Sequence, residues 1–260
     1  MRSLVQRAEK VGCRGIVVTL DTTFLGWRVR DLENASLPFL LGKGIAQYTS
    51  DPVFNDLIRE EPETPSTGRL NWHALKAFFG MAKRYPGNTL QNLRSRVGLK
   101  SVQKFINIYS RPSLTWNDLG FLRSITTLPI ILKGILHTDD ARRAYDSGID
   151  AIYVSNHGGR QVDEAIGALD ALAIINKDLK GKLPILFDSG IRNGSDAYKA
   201  LALGATMVGV GRPYVYALAV GGEQGVYELL ENMVAEFELT MALCGSTSLS
   251  EVDIDHLYRG

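Results

Sequence analysis

Residues 155–163 read SNHGGRQVD, with Asn156, His157, Arg160, Gln161 and Asp163 packed around a Gly-Gly pair. A histidine titrates near neutrality and suits a general base. An arginine three residues later, past two glycines that let the backbone turn tightly, offers a planar fork that matches a carboxylate. Elsewhere, Asp21 follows VVTL, and an aspartate against an imidazole stabilises the imidazolium formed when the ring takes a proton. Lys133 ends the apolar run PIILK, where a compact cation can stabilise negative charge on a cofactor or intermediate. The segments DSGIRNGS (188–195) and VGVGRP (208–213) are glycine-bearing turns that carry Arg192 and Arg212. Backbone N–H groups in such turns cradle phosphate.

These residues share one feature of placement. Each follows a short apolar run rich in Val and Ile: 15–20, 129–134, 151–156, 184–190 and 206–212. Runs of this length without alternation fit strands buried on both faces, as in parallel sheets. Helical stretches lie between them. Thr138 followed by Asp139 and Asp140, and Ser195 followed by Asp196, read as helix N-termini. Repeated β-α units imply a (β/α)8 TIM barrel or a doubly wound sheet. In a parallel barrel all the strand C-termini share one face, so Thr19, Asp21, Lys133, Ser155, His157, Asp188, Ser189, Gly211 and Arg212 converge on one mouth. Solvated loop charge would explain any one of them, but five chemically apt strand ends out of five argue for a site. From the residues alone, this is a barrel that binds a phosphorylated cofactor and uses a histidine base and an arginine anchor for an anionic substrate. His73, His137 and His256 fall away from strand ends and are read as structural or solvated, and Trp72 and Trp116 as packing residues.

Residues 22–113 interrupt the β-α rhythm with turn-rich stretches (SDP, EPETPSTG, YPGN) and amphipathic helices. The clearest of these is NWHALKAFFGMAKRY, with Trp72, Leu75, Phe78 and Phe79 on one face. This reads as one long lid-like excursion within a single domain spanning 1–260. The chain has 260 residues, 45% hydrophobic and 22% charged, with a net charge of +1. Nothing in that balance argues for nucleic acid or an anionic membrane. Cys13 and Cys244 lie far apart in sequence and suggest reduced thiols. The N-terminus has no apolar signal core, no stretch is long enough to span a bilayer and LYRG is not a peroxisomal address. The expectation is a cytoplasmic protein without a metal site.

SNHGGRQVD, preceded by LPIILKG and followed by DSGIR and GRP, resembles the FMN-dependent α-hydroxy acid oxidase/dehydrogenase family. The likeness extends from VVTLDT and GWRVRDL to FELTMALCG, nearly the whole chain. Within the family, LGWRVRDL, GKGIAQYTSDPVF and GRPYVYALAVGGEQGV are most similar to the lactate 2-monooxygenase branch, which oxidises L-lactate and then decarboxylates the bound product oxidatively. The resemblance implies FMN as cofactor, a small L-2-hydroxy acid as substrate and oxygen as a candidate oxidant. It implies that His157 takes the substrate proton as a hydride equivalent passes to flavin N5, and that Asp21 supports the imidazolium. Arg160 and Arg28 would bind the carboxylate, and Lys133 would stabilise the reduced flavin. Thr19 and Ser155 would contact the flavin and Asp188 the ribityl chain. Ser189, Gly190, Ile191, Arg192, Gly211 and Arg212 would surround the phosphate. Ser189 stands where many members of the family have glycine.

The resemblance also exposes a deficit. A barrel of this kind has eight strands, and the runs above supply only strands 4–8. Met1 falls where the family would enter its third helix, and no tyrosine matches the two that the family places near the substrate. Five strands leave apolar edges at 15–20 and 206–212, which should aggregate, swap or find a partner such as a second copy. Three explanations compete: a fragment of a full enzyme, a short protein that pairs with another chain, or an inactive relative. The intact site residues favour the first. The competing functions are a flavin oxidoreductase of L-2-hydroxy acids and a non-catalytic chain that binds FMN weakly or pairs with another chain. A phosphate-binding barrel isomerase would need a loop cysteine that neither Cys13 nor Cys244 supplies.

Overall fold

The computed structural model describes residues 1–34, 37–60 and 71–258. The EPETPSTG stretch lies outside them. The chain forms two compact units. The first comprises Met1–Cys13 and Arg28–Thr127, the second Arg14–Trp27 and Leu128–Gly260.

The first unit is helical among the described residues: α1 (Arg2–Lys10), α2 (Val29–Glu33), α3 (Ala46–Thr49), α4 (Pro52–Arg59), α5 (Trp72–Arg84), α6 (Thr89–Ser95), α7 (Val97–Ile108) and α8 (Asp118–Arg123). Much of the expected excursion is therefore a packed body with its own core of Ile45, Phe54, Ile58, Met81, Val102 and Phe105. Two chemical signals begin its helices. Asp51 accepts from Phe54 N at 3.0 Å, and Asn71 accepts from Ala74 N at 2.8 Å, each satisfying an otherwise orphaned first-turn donor. The α5 helix forms where the periodicity places it, but it buries Met81 and Ala82. Trp72 is 74% exposed, so it is not the packing residue that its size suggested. Periodicity locates a stripe; the neighbour that covers it comes from tertiary packing.

The second unit is α/β. Its strands β1 (Ile16–Thr19), β2 (Ile130–Ile135), β3 (Ala151–Val154), β4 (Ile185–Phe187) and β5 (Met207–Val208) pair in that order, all parallel. The connecting helices are α9 (Thr138–Asp146), α10 (Ala168–Leu179) and α11 (Gly194–Ala202), and α12 (Arg212–Leu243) follows β5 with a break at Gly222. The expected strands are all present, with β1 and β5 at the edges. Except for β2, they are shorter than the apolar runs that announced them, because pairing ends where the chain turns away to the loops.

Two expectations are corrected. The strands are not buried on both faces. Ile130, Leu132, Ile152, Val154, Ile185 and Phe187 are at most 2% exposed, whereas on the opposite face Val17 is 47% and Met207 60% exposed. That second face is the one a closed barrel turns inward, and five strands in a row do not close. The helix starts also differ. The ring of His137, rather than Thr138, caps α9 by accepting from Asp139 N at 3.2 Å. His137 therefore lies just past the end of β2, not away from it. Asn193, rather than Ser195, caps α11 by accepting from Asp196 N at 2.8 Å. Among the described residues no helix is long and apolar enough to cross a membrane.

Candidate active site at the strand ends

Strand register builds the first part of the site. Thr19 pairs with Lys133, and Lys133 with Tyr153, so these three side chains stand in one row on the more open face. The Lys133 ammonium lies 4.8 Å from the Tyr153 ring centroid. It donates to Ser155 Oγ at 2.6 Å and pairs with Asp188 Oδ2 at 3.0 Å. Burial pushes the Asp188 carboxyl upward. Hydrogen bonds from Ser155, Lys133 and Ser189, together with the lysine charge, outweigh that effect and hold it below the usual carboxylate range. Tyr153 moves the other way. Burial, then the Asp188 charge and a hydrogen bond to it, push the phenol up to about 12, so it stays a donor at neutral pH. Tyr153 is a site residue that the sequence reading did not single out. Its alternation with Ile152 and Val154 along β3 was the available signal, because the residue between two core positions must face the other side.

The second part hangs from the turn after β3. His157 adopts φ +56°, uncommon for a side chain other than glycine. Its N–H donates to Ser155 Oγ at 3.1 Å, and its Nδ1 lies 3.2 Å from Asp21 Oδ1. The side chains are 30% and 13% exposed respectively. Asp21 Oδ2 is buried and makes no hydrogen bond among the described residues, which leaves the imidazole as the partner of this carboxylate there. Gly134, in the bulge of β2, is the reason Asp21 fits. It has φ +102°, and a Cβ there would stand 2.8 Å from Asp21 Cβ. Gln161 fastens the loop after β1 to the same turn. Its amide donates to Asp21 O and Phe24 O, and its Oε1 accepts from Gly26 N at 3.3 Å. No role was read for Gln161 in the sequence; a glutamine in a loop carries no signal until the facing backbone is known.

The remaining candidates are placed as follows. Arg160 is exposed on the same turn, beside the glycines. Arg28 belongs to the first unit, where it pairs with Asp31 at 3.9 Å. Arg212 reaches Gly158 O, and Arg192 is exposed at the start of the α11 region, where its N–H donates to Asp196 Oδ2 at 3.1 Å. Ile191 is buried, while at Gly190 and Gly211 no atom of the described residues lies within 4 Å of where a Cβ would project. Ser189 Oγ is engaged with Asp188 and with the His157 turn.

This donor set suits FMN. Open backbone at Gly190 and Gly211 with Arg192 and Arg212 nearby in sequence matches a phosphate, and a lysine at the strand ends matches an electron-rich ring edge. Comparison with known proteins agrees. Residues 1–259 match the FMN-dependent dehydrogenase family. The chain is 40% identical to L-lactate oxidase of Lysinibacillus sphaericus over 95% of its own length and 55% of that protein's. It is 40% identical to an FMN-dependent alpha-hydroxy acid dehydrogenase of Schizosaccharomyces pombe over 99% of its length and 58% of the relative's. A crystal structure of mandelate oxidase superposes with a TM-score of 0.68 at 33% identity, covering 96% of this chain and 58% of that one. The chain thus spans a little over half the length of the relatives it matches. With a five-stranded parallel sheet like part of a TIM barrel, and with sequence similarity along its whole length, the chain belongs to the FMN-dependent dehydrogenase family.

Proposed function

We propose that this chain carries the catalytic half of an FMN-dependent oxidation of a small L-2-hydroxy acid, L-lactate being the first candidate, to the 2-oxo acid. The observation that carries the reading is the His157–Asp21 pair, set beside the Lys133–Asp188 pair at the strand ends. Bound FMN supplies the two-electron acceptor. Nδ1 of His157 faces Asp21, which leaves Nε2 to take the proton from the substrate hydroxyl. The positive charge that this creates on the ring is answered by the Asp21 carboxylate. Arg160, on the same turn, holds the substrate carboxylate with its guanidinium fork. Lys133 contributes the fixed positive charge against which negative charge accumulates during the transfer.

The test is the visible spectrum of the full 260-residue chain with added FMN, before and after anaerobic L-lactate. A bound-flavin spectrum that bleaches supports the reading, and free flavin that never binds refutes it for this chain. Pyruvate as the product under oxygen marks an oxidase; acetate marks the monooxygenase chemistry of the lactate 2-monooxygenase branch. One observation favours a second reading, in which the chain is non-catalytic and pairs with another chain: the exposed apolar side chains Val17 and Met207 on the two edge strands.

A further inference from the structure

Ser189 occupies a backbone conformation that suits glycine, with φ +78°. A side chain there costs about 1 kcal/mol. Its hydroxyl is fully used. It donates to Asp188 Oδ1 at 2.8 Å and accepts from Asn156 N at 3.2 Å and Gly158 N at 2.9 Å. Those two amides flank His157, whose own N–H is held by Ser155 Oγ. Two hydroxyls therefore pin three consecutive N–H groups around the histidine. Both hydroxyls hang from the same ion pair, since Lys133 donates to Ser155 Oγ and bonds Asp188.

We propose that Ser189 is a positioning residue, whose hydroxyl suspends the His157 turn from the Lys133–Asp188 pair and so aims the imidazole at Asp21. The inference rests on the proposed function only for its kinetic consequence. A glycine at 189 would satisfy the backbone better, but it would leave the Asn156 and Gly158 amides without this acceptor. The serine trades backbone ease for a fixed base. It also makes the base sensitive to the strand-end charge pair: a group that draws Asp188 or Lys133 away would loosen the turn through two hydrogen bonds.

The experiment compares the full chain with Ser189→Gly and Ser189→Ala. Glycine removes both the hydroxyl and the strain, whereas alanine removes only the hydroxyl, so a folding defect cannot imitate the expected pattern. Amide hydrogen exchange at Asn156 and Gly158, read by NMR, should quicken roughly tenfold in both variants, with Ser189→Gly melting no lower than Ser189→Ala. The His157 ring resonances supply the readout that a purely structural role would not move. Asp21→Asn should shift them clearly in the parent and by less than about half as much in either Ser189 background, the signature of coupled residues. With FMN and saturating L-lactate, anaerobic bleaching should slow roughly tenfold in both variants while the half-saturating lactate concentration stays within about twofold. Parent-like exchange at both amides, or an undiminished ring shift, overturns the inference. Should the parent itself fail to bleach flavin, the proposed function fails, and the exchange and ring readouts still decide the role of Ser189.

Discussion

Replacing Asp21 by Asn tests the core of the mechanism, because it keeps the shape of the side chain and removes its charge. The Asp21 and His157 heteroatoms lie 3.2 Å apart. Unit charges at that separation attract by about 5 kcal/mol at an effective dielectric of about 20. With the imidazole 30% exposed, water screens much of this. The usable part is the difference between a charge-assisted and a neutral hydrogen bond, about 1–2 kcal/mol. That predicts a loss of roughly 5- to 30-fold in the rate of flavin bleaching by saturating L-lactate, measured anaerobically by stopped flow. This is a lower bound, since an asparagine that turns its amide N–H toward Nδ1 selects the wrong tautomer and costs up to about 10⁴-fold. Stability should move the opposite way or not at all. Among the described residues Asp21 Oδ2 makes no hydrogen bond, so the substitution breaks none at that atom. A slower reaction in a protein at least as stable is the expected pair of results. A bleaching rate within about twofold of the parent would refute the reasoning that Asp21 supports the base.

Other perturbations follow from the same geometry. Arg160→Lys should raise the half-saturating lactate concentration at least about tenfold while changing the rate at saturation little, since a lysine cannot reproduce the bidentate fork; titration of flavin bleaching against lactate checks it. Gly26→Ala should lower stability by about 1–3 kcal/mol, because its Cβ would lie 2.5 Å from Arg160 O and 2.9 Å from Gln161 Cα; thermal melting reads this. Asp188 has its folded pKa held below the ordinary carboxylate range, so the unfolded chain binds its proton first as pH falls. The stabilisation it confers is complete at neutral pH and is lost as pH drops through the folded value. Asp188→Asn should therefore flatten the decline of the melting temperature below about pH 5. An equally steep acid limb in the variant would show that Asp188 does not titrate this way.

The sequence by itself determined the parallel α/β pattern, the number of strands and the residues at their ends. These are local properties. Apolar runs such as IILK and AIYV need at least one covered face, and the glycines of SNHGGR favour a turn, so their types and order survive without knowledge of partners. Tertiary structure decided the rest, because each remaining feature joins residues far apart in the chain. The single buried face of the sheet depends on which side the helices cover. Tyr153 joins the site because β3 pairs with β2 in the register that sets it beside Lys133. Gln161 and Gly134 matter only because the loop after β1 returns to them. Ser189 itself was visible in the sequence. That its hydroxyl grips the two amides around His157 was not, because a hydrogen bond between residues more than thirty positions apart is a fact of the fold, not of composition or spacing.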